Sequence, residues 1–260
     1  TRAFVQAVGA KGHVLAIDRD PAAIAEGKAL AHEARGRLTL VHGSFGDVAA
    51  IAELAKFPSA QGIAADLGFS STQLDASDRG FSFTHTGPLD MRFDPTSDLP
   101  TAADLVRTLS EAELEKILRN YGEEPRARKI AGAIVAARTA KSMVTTADLA
   151  DAIARVVRRS GHTHPATRTF QALRIAVNDE LATLTRTIPQ MLALVAPGGR
   201  IAIVSFHSLE DRIVKRAFRR AVAEKWGTLI TRRPIRPTAE EVARNPRSRS
   251  AKLRIIERSR

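Results

Sequence analysis

Short apolar runs, two of them ending on a carboxylate, alternate with helical spacings through the first 66 residues. His13-Val-Leu-Ala-Ile-Asp18, Leu38 to His42 and Gln61-Gly-Ile-Ala-Ala-Asp66 are too short for core helices and read as buried strands. Between the first two, Asp20-Pro21 opens a helix, with Asp20 as N-cap and Pro21 at the first helical position. That helix carries Ile24, Lys28, Leu30 and Ala31, and Gly36 is placed to stop it. Gly43-Ser-Phe-Gly-Asp47 turns into a helix through Leu54, and far downstream Pro197-Gly-Gly199 feeds a strand from Arg200 to Phe206. Strands alternating with helices predict an α/β fold with a mostly parallel sheet covered on both faces.

From Thr101 to Gly161 the pattern is helical only. Thr101-Ala-Ala-Asp104, Ser110-Glu-Ala-Glu113 and Thr145-Thr-Ala-Asp148 all have capping-box form, and Leu114, Ile117, Leu118, Leu149, Ile153, Val156 and Val157 recur at helical spacing. The spacing predicts a helical subdomain over residues 101–161 inserted in an α/β domain of residues 1–100 and 162–260. The α/β pattern is expected to resume with a long helix near Pro165. Ser208 with Asp211 reads as a further capping box. The helix it opens turns Ile213, Val214, Ala217 and Phe218 inward and Lys215, Arg216, Arg219 and Arg220 outward.

Residues 67–94 fit neither period. Structureless loops beyond roughly 12–15 residues are uncommon in compact domains unless functional or disordered. Phe69, Phe81, Phe83, Met91 and Phe93 are costly to leave in water, so an ordered loop is expected. Its position after a strand's carboxyl end is where α/β folds place ligands.

Composition narrows the function classes. With no Cys, disulfides, thiolate metal sites and a Cys nucleophile are all excluded. No apolar run reaches the ~20 residues of a membrane helix, and a cytoplasmic enzyme is expected. The net charge is +12, and residues 212–260 hold sixteen Lys or Arg against four Asp or Glu, so the whole excess lies there. A basic segment of that density is a footprint for polyanions, nucleic acid before a merely solvated tail.

Asp18 closes a strand where Rossmann-like folds grip a ribose, although such a residue also serves as a helix cap. Phe45 is open to two readings, as a cover for an adenine face or as ordinary core. Asp66 ends a strand facing the same crevice, and Gln73 can donate and accept. His207, in Ser205-Phe-His-Ser-Leu-Glu-Asp-Arg212, is open between substrate contact and structural hydrogen bonding. No His or carboxylate spacing suggests a metal site. Thr1 to Val8 reads as the end of a helix. A first strand and its glycine-rich turn are expected upstream of the strand ending at Asp18 and are missing from the chain, which is therefore expected to be unstable or inactive as it stands.

Several segments together carry a resemblance: Ala16-Ile-Asp-Arg-Asp-Pro21, Asp66-Leu-Gly-Phe-Ser-Ser71 with Gln73-Leu-Asp75, Asp78-Arg-Gly-Phe-Ser-Phe83, Gly87-Pro-Leu-Asp-Met-Arg92, Tyr121-Gly-Glu-Glu124, His164-Pro-Ala-Thr-Arg-Thr-Phe-Gln171, Ala196-Pro-Gly-Gly199, Ser205 to Arg212 and Asn245-Pro-Arg-Ser-Arg249. The chain resembles the RsmH/MraW methyltransferases. The resemblance implies a class I S-adenosylmethionine-dependent methyltransferase fold and N4-methylation of a cytosine in the decoding region of 16S rRNA. Family donor contacts fall on Asp18, Phe45, Asp66 and Gln73. Near Asp66 to Ser70 a carboxylate or carbonyl would hold the target amine, making Asp66 and Ser70 the expected catalytic residues. The 78–94 loop, with Asp90 and Arg92, and the helix near Pro165, with His164 and Arg168, are expected to shape the base pocket together with His207. No metal is implied. The partner is the small ribosomal subunit, and the protein would act as a monomer or homodimer. Trp226 to Pro237 is shorter than in many relatives. Two rival readings are a methyltransferase for another substrate and an RNA-binding fragment without catalysis.

Overall fold

The computed structural model describes residues 1–140, 143–158 and 164–260. In chain order the helices and strands are α1 (Arg2–Ala7), β1 (Val14–Asp18), α2 (Pro21–Glu33), β2 (Leu38–His42), α3 (Val48–Leu54), β3 (Ala60–Asp66), α4 (Ser71–Asp75), α5 (Ala102–Thr108), α6 (Glu111–Gly122), α7 (Ala127–Ala140), α8 (Thr146–Val156), α9 (Thr167–Asn178), α10 (Glu180–Leu194), β4 (Val195–Ser205), α11 (Ser208–Ala223), β5 (Gly227–Leu229), α12 (Ala239–Arg244) and β6 (Lys252–Arg258). The chain divides into two compact units, one of residues 1–68 and 181–260, the other of residues 69–180.

The first unit is mixed α/β. β1 and β2 pair in parallel as a two-stranded ladder, and a second sheet has the order β3-β4-β6-β5. β3 and β4 are parallel, whereas β4–β6 and β5–β6 are antiparallel. The expectation of a mostly parallel sheet is corrected here, because the basic carboxyl-terminal segment supplies β6 in the middle of the four-stranded sheet. Pro197-Gly-Gly199, expected as a turn ahead of the strand, lies inside β4, where the pairing with β3 shifts between Ala60 and Gly62. The core joins Leu184, Ile188 and Met191 of α10 to Ile201 and Ile203 of β4, Ile256 of β6, and Val214 and Phe218 of α11. Ile17 and Phe45 pack against this same core, which ties the β1–β2 ladder to it. Asp20 caps α2 by accepting the Ala22 N–H at 3.0 Å, with Pro21 at the first position, and the helix ends at Glu33, before Gly36.

The second unit is helical. Its three expected capping boxes form: Thr101 with Asp104, Ser110 with Glu113, and Thr145 with Asp148. The two hydrogen bonds from Thr101 and one from Arg107 hold the Asp104 carboxyl down at about 2. Leu114, Leu118, Ile130, Ile134, Leu149, Ile153 and Leu173 are fully buried in one core. Phe81, Leu89 and Met91 from the preceding segment and Phe170 and Val177 of α9 share it. The compact unit is therefore wider than the expected 101–161 insert, and α9 belongs to it and not to the α/β unit. The expected boundary at 161/162 lies outside the described residues. Truncating Leu118 to Ala is expected to lower stability by about 2–5 kcal/mol through cavity formation, read as a shift in the denaturant midpoint.

The segment expected to lack regular structure contains one short helix, α4, and a 3-10 turn over Ser77–Arg79. Five helical residues are too few to reveal a 3.6-residue period. Beyond them the chain is irregular but tightly tied. Gly80 sits at φ +73°, where a Cβ would meet the Pro88 carbonyl oxygen at 2.5 Å, and a Cβ on Gly87 would overlap the Ser77 carbonyl. Met91 is fully buried with φ +65°, unusual for a non-glycine residue. Asn178 holds it there, donating to the Met91 carbonyl at 2.7 Å and accepting the Phe93 N–H at 2.8 Å. Strain retained in this way is more common at functional sites than elsewhere.

Candidate active site

In the first unit, four strands, parallel in pairs, carry chemistry-bearing residues at or just beyond their carboxyl ends. Asp18 closes β1, the Phe45 turn follows β2, Asp66 closes β3 and His207 follows β4. Asp18 Oδ1 accepts the Asp20 N–H at 2.8 Å, and the Arg19 N–H also supports the carboxylate. Burial raises the Asp18 pKa, and the nearby Asp20 charge adds to the rise. The turn bearing Phe45 is fixed from two sides. Ser44 Oγ accepts the Gly46 N–H at 3.1 Å, while Gln190 donates to the Gly46 carbonyl at 2.7 Å and accepts the Ala49 N–H at 3.1 Å. The Phe45 ring is half-buried, one side against the core.

Asp66 is also pushed upward, first by burial and then by the Glu210 charge. Glu210 is 2 % exposed, and one carboxylate oxygen accepts the Phe206 N–H at 2.9 Å and the His207 N–H at 3.3 Å. The N-cap of α11 is accordingly His207 and not Ser208, one residue earlier than the expected Ser208–Asp211 box. His207 Nδ1 accepts the Glu210 N–H at 3.4 Å, and Glu210 returns the bond. Asp211 is used elsewhere. Arg254 donates to it at 2.6 Å and Lys252 at 3.3 Å, and together they outweigh burial and lower its pKa. The cap leaves the proton of a neutral His207 on Nε2, 3.3 Å from the other Glu210 oxygen but without a hydrogen-bond partner.

The second unit holds the other expected residues. Ser70 caps α4 by accepting the Gln73 N–H at 3.1 Å, and Gln73 Oε1 accepts the Ser70 N–H at 2.8 Å. Gln73 is 6 % exposed, so this cap accounts for its carbonyl. Asp90 and Arg92, expected to face substrate, face each other: two N–H···O bonds of 2.9 and 2.8 Å join them, and Arg92 also donates to the Ser97 carbonyl. Their geometry is that of a loop tie. His164 stacks on Phe83 with ring centroids 4.4 Å apart, and its Nδ1 accepts the Ala166 N–H at 3.2 Å. Arg168 donates to the Glu123 carbonyl at 3.1 Å.

Sequence reasoning passed over Glu210. Its signal was available, because a Glu three residues after His207 completes a box as well as Asp211 does after Ser208. It also overcounted free positive charge. Lys252 and Arg254 share the single carboxylate of Asp211, Arg200 pairs with Glu257, and Arg258 is committed to the Val195 carbonyl. On α11, Lys215, Arg216 and Arg219 remain exposed.

The MraW methylase family profile matches residues 1–259. A ribosomal RNA small subunit methyltransferase H of Thermomicrobium roseum is 51% identical, over 99% of this chain and 84% of its own length. Namesakes in Methylobacterium nodulans and Elusimicrobium minutum are 50% and 47% identical, covering 100% and 99% of this chain and 81% and 87% of theirs. No helix among the described residues is long and apolar enough to cross a membrane. A match along nearly the whole chain, with relatives about half identical over it, places this protein in the MraW methylase family.

Proposed function

We propose that the protein transfers a methyl group from S-adenosylmethionine to N4 of a cytosine in the decoding region of 16S rRNA, in the cytoplasm and on a small-subunit substrate. The observation that carries this reading is Asp66, an acidic side chain of raised pKa at the end of a parallel strand, in a family of methylases. The residues suit the donor. The Asp18 carboxylate, with more acceptor sites than its backbone partners use, can accept from ribose hydroxyls, the half-buried Phe45 ring offers a face for adenine, and Asp66 offers charge to the donor's cationic end. The donor supplies an electrophilic methyl on a sulfonium.

The acceptor amine is poorly nucleophilic because its lone pair is delocalised into the ring. Asp66 would accept a hydrogen bond from the amino group, turn the lone pair toward the methyl, and take the proton that the nitrogen must shed afterwards. Ser70 and Gln73 brace the turn that follows. Alignment and exclusion of water supply much of the remaining rate. Cytosine C5 methylation through a Cys adduct is closed to a chain without Cys. The target base must leave its stack to reach the reacting methyl.

RNA binding by α11 is the part most readily tested. Replacing Lys215, Arg216 and Arg219 with Gln should weaken small-subunit methylation mainly in KM. It should also lower the salt slope by about 0.7–0.9 for each phosphate that is no longer neutralised. Methylation that keeps the wild-type salt dependence would contradict RNA binding through this face.

A further inference from the structure

The second unit carries a basic basin that none of the roles above uses. Glu111 at the start of α6, and Pro125, Arg126, Arg128, Lys129 and Gly132 around the first turns of α7, line an open concavity of about 490 Å³. Arg126, Arg128 and Lys129 are exposed, and among the described residues their side chains make no ion pair or hydrogen bond. Several other cations of this unit are engaged: Arg107 with Asp104, Arg119 with Glu115, and Arg138 with the Val106 and Leu109 carbonyls. The one acid lining the basin is Glu111, whose carboxylate lies over Gly132. Glu124, 8 % exposed, has a carboxylate oxygen committed to the Arg126 N–H at 2.9 Å. Three cations thus meet one acid in a single concave surface.

Helix stability does not explain the arrangement. Arg128 and Lys129 lie in the first turn of α7, which has no acidic residue. Cations there oppose the helix dipole and cost a few tenths of a kcal/mol or more each. Residues 126 and 129 are three apart, and so project to one side of the turn.

We propose that this basin is a backbone-binding subsite for RNA, in which Arg126, Arg128 and Lys129 hold phosphates of the substrate strand outside the target nucleotide. The proposal rests on the rRNA reading above. An RNA backbone is favoured over a small anion because the cations are spread over an open surface and do not converge in a closed pocket. Arg also matches phosphate oxygens in a two-pronged manner.

The test compares full-length wild type, a triple variant (Arg126→Gln, Arg128→Gln, Lys129→Gln) and a control pair (Arg107→Gln, Arg119→Gln) that removes ion-paired cations of the same unit. Binding to unmodified small ribosomal subunits is measured across a salt series, alongside binding of S-adenosylmethionine and of inorganic phosphate. The triple variant should bind subunits about tenfold or more weakly, with the salt slope reduced by about 2–3, while the control pair stays near wild type. Donor affinity should not change. An unchanged slope in the triple variant overturns the subsite. So does an equal loss in the control pair, which would assign the effect to net charge. Saturable phosphate binding that the triple variant loses, with subunit binding intact, also overturns it and assigns the basin to a small anion. Wild type that fails to bind subunits at all overturns instead the rRNA reading on which the proposal rests.

Discussion

An Asp66→Asn enzyme is expected to lose methyl transfer by about 10²–10⁴-fold, the range for removing a positioned proton acceptor, while remaining folded. Asn can still accept a hydrogen bond from the target amine, but it cannot take the proton. The effect should fall on kcat, with KM for subunits little changed. Stability should move the other way. Burial and Glu210 raise the Asp66 pKa, so the folded state prefers the protonated carboxyl. That preference stabilises the fold below the ordinary carboxylate range and disappears as pH rises through the raised value. Asp66 keeps substantial solvent contact, so its ionisation at neutral pH costs the fold only a little, and Asn removes that small cost. The variant should melt no lower than wild type at neutral pH, and its relative advantage should shrink in acid. A large loss of both activity and stability at neutral pH would mark Asp66 as structural.

The second large effect concerns Glu210. The Glu210→Gln change keeps an oxygen for the Phe206 and His207 N–H groups and removes the charge that raises Asp66. The acid limb of the kcat/KM profile, set by ionisation of Asp66, should shift to lower pH. The Glu210→Ala change removes the acceptor as well, at about 1–3 kcal/mol for each buried N–H left unpaired. It should therefore unfold more readily and blur the start of α11. An acid limb that stays in place in Glu210→Gln would separate Glu210 from the chemistry and leave it only the cap.

Local chemistry was the most legible part of this chain. Asp20 with Pro21 and the boxes at Thr101, Ser110 and Thr145 each lie within four residues, and a side chain that close to its backbone partner leaves little for tertiary structure to override. The α11 start was legible only to within one residue, because Ser208 with Asp211 and His207 with Glu210 spell overlapping boxes. The sheet resolved the ambiguity: Arg254 and Lys252 of β6 claim Asp211, leaving Glu210 to turn inward. β6 itself was hidden, because Lys252, Arg254, Glu257 and Arg258 mask the apolar positions Leu253, Ile255 and Ile256 and suggest a solvated tail.

The candidate site divides in the same way. Asp18 and Asp66 were visible as carboxylates ending apolar runs, a pattern that strand geometry alone makes meaningful. Asp90 and Arg92 are two residues apart in an irregular loop and pair with each other, a contact that no sequence period signals. Nor was the reach of the helical unit down to residue 69 and up to residue 180 readable, because it depends on Phe81, Met91 and Phe170 entering a core whose other members lie far along the chain.

The most direct test of the central claim is to identify the product. Unmodified small ribosomal subunits would be incubated with the protein and S-adenosylmethionine carrying an isotopically labelled methyl group. The rRNA would then be digested to nucleosides, and the labelled species identified by mass spectrometry. The account predicts label in N4-methylcytidine from the decoding region, absent when Asp66→Asn replaces wild type. Label in 5-methylcytidine, in another base, or only in ribosomal protein would contradict it.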